Sequence, residues 1–267
     1  MNDLIQKITI LPGINKNKEK EDFSQIEIAR GETVAIVGST GAGKSQLLYD
    51  IEKLAQGDTK SKRTILVDGK SPQKEFRFDP RKKLIAFLSQ SMNFLTDLSV
   101  EDFLKLHIQA RGQEGRDGLV EEVICQANEI TGEPIDPKMN LLNLSGGQTR
   151  ALMVSDIANI STSPIILIDE IENAGIRKKK AIEILIKEGK IVLMVTHDPV
   201  ITLNADKRLI IKEGGIVKVL ETSAKEKQIA HYLSSIEDNN LAIRDKIRGG
   251  EEIEEVKTHC GRSKFSE

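Results

Sequence analysis

The sequence predicts an α/β fold: a mostly parallel β-sheet covered by helices, an N-terminal antiparallel β-layer and an inserted helical subdomain. Three observations predict it. Short aliphatic runs alternate with stretches of helical periodicity, the pattern of parallel strands joined by crossover helices. Several runs stop at a polar residue, as at Gln90, Asp169 and His197, and a glycine-rich loop ending in Ser45 follows another. In open parallel sheets such residues gather at the carboxyl ends of the strands, where ligands bind.

Taken in order, residues 4–10 and 25–29 are two short strands around a Lys-rich turn (Lys16, Lys18, Lys20), and Arg30-Gly31-Glu32 turns the chain into the strand Val34 to Val37. The first two supply the antiparallel layer. Residues 45–51 have helical apolar spacing, and Thr64 to Val67 is a strand ending at Asp68-Gly69, a hairpin-type turn. The aliphatic run Lys83 to Leu88 stops at Ser89-Gln90. From Val100 to Asn128 the period is helical, broken by the polar stretch Gly112 to Gly118. A second polar stretch, 131–140, precedes Leu144-Ser145-Gly146-Gly147-Gln148 and a helix to Ile160. Ile165 to Ile168 is a buried strand ending in Asp169-Glu170; a helix follows over 178–187, then the buried strand Ile191 to Val195 and Thr196-His197. The inserted helices occupy about 97–160 of a first unit, 1–220, with an extension over 221–267.

The composition narrows the function. A chain of 267 residues that is 39% hydrophobic and 30% charged can bury a full core. Its net charge of −2 gives no basis for a nucleic-acid partner, and 3% aromatics without Trp supply no stacking platform for single strands. Cys125 and Cys260 stand far apart, as expected of thiols in a reducing cytosol. No signal peptide is visible, and the longest apolar runs are too short to cross a bilayer. No direct membrane insertion is expected, so any link to a membrane comes through another chain.

Gly38-Ser39-Thr40-Gly41-Ala42-Gly43-Lys44-Ser45 fits G-x-x-x-x-G-K-[ST] between a strand and a helix, which makes the sheet a P-loop NTPase core. Its glycines let backbone N–H groups turn inward towards a phosphate at the positive end of the helix that continues through Gln46. Lys44 can reach the β- and γ-phosphates, and the Ser45 hydroxyl can ligate Mg²⁺. The loop alone says nucleoside triphosphate and no more. A glycine-rich turn that binds nothing is the bland alternative.

With that loop, Gln90, the string LSGGQ at 144–148, the strand ending in Asp169, the next residue Glu170 and His197 follow one another in the order seen in ATP-binding cassette (ABC) ATPases, which residues 1–220 resemble. The resemblance implies ATP and Mg²⁺ as ligands, with Ser45, Gln90 and Asp169 at the metal. It implies Glu170 polarising the attacking water, with Gln90 reaching the metal and that water and Lys44 and His197 at the γ-phosphate. Asp169 ends a hydrophobic strand, which would hold its carboxylate rigidly. A strand-terminal His is more often structural, and Gln90 draws its weight almost wholly from the resemblance. Ser145, Gly146, Gly147 and Gln148 offer a hydroxyl, backbone N–H groups and a positive helix end to phosphate. In the resembling family this string closes over ATP held by a second cassette. The implied species is a homodimer, or a pair with a paralogous ABC subunit, with two ATPs between the copies.

Two departures stand out. Ile176 occupies the place of the aspartate in the loop after the catalytic glutamate, which would alter communication between the two sites. Leu11-Pro12-Gly13 lies where an adenine-stacking aromatic would be expected, with no Tyr nearby, and losing that stack costs on the order of 1 kcal/mol. Beyond Thr222 the stripe Ile229, Leu233, Ile236, Asn240, Ile243 and Ile247 is heptad-like and ends at Gly249-Gly250. It fits a helix packed back on the core or a contact with a partner. The last residues are expected to be solvated and disordered. The resemblance implies a cytoplasmic subunit, peripheral at the inner face of the membrane through an integral permease; the second reading is a soluble ATP-driven switch on a protein partner.

Overall fold

The structure, a computed structural model, describes residues 5–79, 82–89, 92–169, 176–187, 189–252, 255–258 and 261–264. Strand β1 (Lys7–Leu11) lies between β2 (Ile26–Ala29) and β4 (Thr64–Val67), antiparallel to both. The register opposes Ile8 to Ile28 and Ile10 to Ile65, so fully buried isoleucines share one face of this layer. The turn after β4 has Asp68 and Gly69 at positive φ, and the Asp68 carboxylate accepts from the N–H groups of Gln6 and Lys7. It brings Lys70 back to bridge Val67.

The larger sheet has the order β5-β6-β7-β3-β8-β9. Strands β3 (Thr33–Val37), β5 (Ile85–Leu88), β6 (Ile165–Asp169), β7 (Ile191–Val195) and β8 (Lys207–Lys212) are parallel, and β9 (Gly215–Glu221) returns antiparallel. Strands β8 and β9 were not expected. Their apolar residues are interrupted by Lys207, Arg208, Lys212 and Lys218, and Val217 and Val219 are exposed, because one edge of this sheet is solvated.

Side chains alternate across the pleat, and the sheet therefore separates two cores. Val34, Ile36, Ile165, Leu167, Leu193 and Val195 face one side, where they meet the antiparallel layer and helix α1 (Lys44–Glu52). Ala35, Ile166, Ile168, Val192 and Met194 face the other. Helices α3 (Val100–Ala110), α4 (Leu119–Ile130), α5 (Gly146–Asn159) and α6 (Lys178–Lys187) share that second core; the short helix α2 (Lys74–Phe78) precedes β5. Thus α1 and α5 lie on opposite faces of the sheet.

Helix α7 (Pro199–Asn204) carries α8 (Ala224–Arg248). Ala230 and Ser234 of α8 are buried, whereas Ile229, Ile236 and Ile247 of the heptad-like stripe remain 51%, 39% and 61% exposed. The helix thus docks by a different face from the stripe. The described part of the tail pairs as a hairpin, β10 (Glu255–Thr258) against β11 (Gly261–Lys264), which corrects the expectation of disorder: Val256 and Thr258 are good strand formers, and Gly261 opens the return strand.

Helix α8 begins with a capping box. Ser223 Oγ accepts from Glu226 N, and Glu226 Oε2 accepts from Ser223 N. The Ser223 N–H, the Arg208 guanidinium and the Ser223 hydroxyl together hold the Glu226 pKa down from 4.5 to about 2. A carboxylate with a lowered folded-state pKa stabilises above its unfolded value, and that support is lost as the pH falls from 4.5 towards 2. The protection of the first α8 amides against hydrogen exchange, relative to their intrinsic rate at each pH, should fall over that interval. In Glu226→Ala the protection should already be low at neutral pH and the acid step should vanish; an unchanged step would place it elsewhere.

Candidate functional site

Strand β3 delivers the glycine-rich loop and α1 leaves it. Gly43 caps α1 at φ +105°, a conformation that a side chain resists, and Gly41 sits at φ +76°. The loop is wedged against the turn between β8 and β9. A Cβ on Gly38 would lie 2.5 Å from the Ile211 carbonyl oxygen, and one on Gly43 would lie 2.7 Å from Gly214 Cα. Gly214 N also donates to Ala42 O at 2.7 Å. Ser39, Thr40 and Ser45 are exposed on the open side.

The Lys44 side chain bends over the loop and donates to Gly38 O at 2.7 Å and Ser39 O at 3.2 Å. It also meets His197 Nε2 at 3.3 Å. An ammonium has no lone pair, so in this contact it is Lys44 that donates. Two expected residues, 153 positions apart, are thus brought together at the ends of β3 and β7. His197 is positioned from both sides: the Thr196 hydroxyl accepts from Asp198 N, and Asp198 Oδ1 caps α7 through Val200 N and Ile201 N. Lys178 pairs with Asp198 Oδ2 at 2.6 Å. Asp169 ends β6 opposite Val195, beside a cleft lined by Leu88, Ser89, Arg150 and Met153. Gln90 and Glu170 lie outside the described residues.

Ser145 and Gly146 are exposed at the start of α5 and Gly147 is half-buried, with the helix's free N–H groups. Gln148 is different. Its Oε1 accepts from Ser145 N at 2.9 Å while its Nε2 donates to Pro134 O at 2.9 Å. The side chain is a buried cap, and the residue's own N–H donates to Ser145 Oγ at 3.3 Å. The S-x-x-Q spacing of a capping box is the signal that marks it. Gln46 likewise turns inward, donating to Asp50 Oδ1 at 2.8 Å.

Behind the loop lies a buried ionic cluster that sequence reasoning missed. Arg63, fully buried, forks onto Glu21 (2.7 and 2.9 Å), reaches Asp50 Oδ2 at 2.9 Å and donates to Gly214 O at 2.6 Å. Ser61 Oγ donates to Asp50 Oδ2, and Glu21 accepts from the N–H groups of Gly13 and Ile216. Burial works against the Arg63 charge, but Glu21 and Asp50 outweigh it and its pKa rises. No motif links these residues, which are scattered through the first quarter of the chain. The cluster also closes position 13 to any side chain: a Cβ on Gly13 would lie 2.0 Å from Ser61 O and 2.8 Å from Arg63 Cγ.

Ile176 is 9% exposed and bridges to Thr131, while Arg177 N donates to Ile130 O. Its apolar side chain joins the core under α4. That packing accounts for an isoleucine at this position.

The ABC transporter family profile matches residues 23–173. An uncharacterised ABC transporter ATP-binding protein of Methanocaldococcus jannaschii is 53% identical over 249 residues, 93% of this chain and 95% of its own length. The macrolide export ATP-binding/permease protein MacB of a Shewanella species is 30% identical over 79% of this chain, which spans only 31% of it. Among solved structures, a dimeric ATP-binding cassette in a post-hydrolysis state with ADP and phosphate superposes with a TM-score of 0.60 at 22% identity, covering 81% of this chain and 99% of that one. CbiO1 of Clostridium perfringens, part of an ABC transporter complex, gives 0.59 at 21% identity, covering 88% and 95%. The last two show a common fold; the profile and the archaeal relative show that this chain belongs to the ABC transporter family, as an ATP-binding protein.

Proposed function

We propose that the chain binds MgATP, closes as a pair of copies over two nucleotides, hydrolyses them, and so drives an integral membrane permease encoded separately. The observation that carries this reading is the meeting of Lys44 with His197 on the phosphate loop, while the exposed Ser145 helix start belongs to the opposite face of the sheet. One chain offers the two halves of a site in different directions, and a second copy, or a paralogous ABC subunit, supplies the complement. The dimeric cassette with ADP and phosphate described above is a precedent for such a pair.

Within each site Ser39 to Ser45 hold the phosphates by backbone N–H groups, and Lys44 leaves the loop carbonyls for the β- and γ-phosphates. Mg²⁺ fits the donors present, a hydroxyl at Ser45 and a carboxylate at Asp169. Among the described residues no cluster of three acidic, His or Cys side chains offers a self-sufficient metal cage, which suits an ion bound largely through phosphate and water oxygens. Gln90 would join that ion, Glu170 would act as base, and His197 would orient the γ-phosphate. Residues 1–220 form the ATPase unit and 221–267 an extension docked on α7. Among the described residues no helix is long and apolar enough to cross a membrane. The site of action is the cytoplasmic face of the membrane, with neither nucleic acid nor direct insertion involved.

Lys44→Ala should reduce hydrolysis by about 10²-fold or more, the scale for loss of one positioned charge-stabilising group. Turnover within a few-fold of the parent would overturn the assignment. Tagged chain should co-purify from detergent extracts with an integral membrane protein. Recovery of soluble partners alone would favour the second reading, a soluble switch.

A further inference from the structure

The Lys-rich turn between β1 and β2 is built onto the phosphate loop. Ile14 bridges to Lys20, Asn15 N donates to Glu19 O, and Lys18 closes the turn at φ +66°. Two bonds fasten it to the turn between β8 and β9: Lys16 N donates to Glu213 O at 2.7 Å and Asn17 Nδ2 to Glu213 Oε2 at 3.0 Å. The same turn backs the loop through Gly214, and a Cβ there would lie 2.9 Å from Lys16 Cγ. From this footing Lys16 stretches over the loop and places Nζ 2.6 Å from Gly41 O. Lys16 is exposed, and none of the ion pairs among the described residues involves it.

We propose that Lys16 is a phosphate-binding residue of this site: when a nucleoside di- or triphosphate fills the loop, its ammonium passes from the Gly41 carbonyl to the phosphate chain. The proposal rests on the nucleotide-binding reading above. A neutral carbonyl is a weaker partner for an ammonium than a phosphate oxygen, and a four-carbon stem allows the move without backbone change. The phosphate loop holds no aromatic residue, Phe23 between β1 and β2 packs half-buried against the core, and the chain's two tyrosines lie in α1 and α8. Tyr49 of α1 is engaged by Lys53, 5.6 Å from its ring centre. Affinity therefore comes from the polyphosphate more than from the base, and Lys16 supplies the share that a base stack does not.

Calorimetric titration with ATP and with GTP tests this in the full chain and in Lys16→Ala, Lys16→Arg and Lys44→Ala. Lys16→Ala should weaken both nucleotides by the same factor, roughly 3- to 10-fold for one partly exposed charged contact. It should also lessen the dependence of binding on salt. Lys16→Arg should restore most of the affinity. The turn is held by backbone bonds and by Asn17, so the unliganded Lys16→Ala protein should melt with the parent. Unchanged binding in Lys16→Ala, or a loss for ATP alone, overturns the proposal while a loss in Lys44→Ala leaves the nucleotide reading standing. A parent chain that binds neither nucleotide overturns both.

Discussion

Replacing Arg63 by Met is expected to destabilise the fold by about 3–5 kcal/mol, the scale for leaving buried charges without their partner. The substitution keeps the side chain's bulk while removing every donor that Glu21 and Asp50 share. Both carboxylates are buried and neither can reach water without opening the core between α1 and the antiparallel layer. At this chain length the melting temperature should fall by roughly 10 °C. The Gly214 carbonyl would lose its guanidinium donor as well, so the wall behind Gly43 should loosen and nucleotide should protect less against heat. Adding Glu21→Gln and Asp50→Asn to Arg63→Met should recover much of the loss, because a neutral cluster does not require the cation. A single variant that melts within about 2 °C of the parent would show that the cluster contributes little.

Mixing two inactive variants is expected to restore ATP hydrolysis. Lys44→Ala disables the phosphate loop, and Gly146→Asp places a carboxylate at the start of α5, where it would repel a phosphate carried by the partner. A Cβ at Gly146 meets nothing within 4 Å, and an acidic residue suits a helix start, so folding should be unaffected. Each variant alone pairs a good half with a bad half in both sites. In a mixed pair, one site draws the intact loop of one copy and the intact α5 start of the other. Random pairing makes half of the pairs mixed, each with one of two sites intact, so about a quarter of parental sites should return. Steady-state turnover across mixing ratios is the measurement. No recovery at any ratio would contradict a site shared between copies.

The parts of this molecule that write themselves locally were legible in the sequence. Strands β3, β6 and β7 are continuous aliphatic runs because both of their faces are buried, and the loop at 38–45 has a fixed spacing. The edge strand β9 is mostly exposed and its apolar residues Val217 and Val219 point to solvent, so its pattern does not report a buried face. Arg63, Glu21 and Asp50 were invisible for another reason: nothing in a one-dimensional string tells a buried ion pair from solvated surface charge. Gln148 and Gln46 were assigned to the ligand by neighbourhood, but their side chains turn towards the protein. Sequence proximity to a motif fixes where a backbone goes more surely than where a side chain points.

The wedge of Gly38 and Gly43 against Ile211 and Gly214 also bears on the order of assembly. The phosphate loop leaves the ribosome early, but the wall that shapes it is made some 170 residues later. Contacts of such separation are slow to form and come after local helices have condensed. A nascent chain would then have its loop sequence long before it has a nucleotide site. Competence to bind ATP would arrive only when strands β8 and β9 have docked, so a truncated product would lack the shaped loop needed to capture nucleotide.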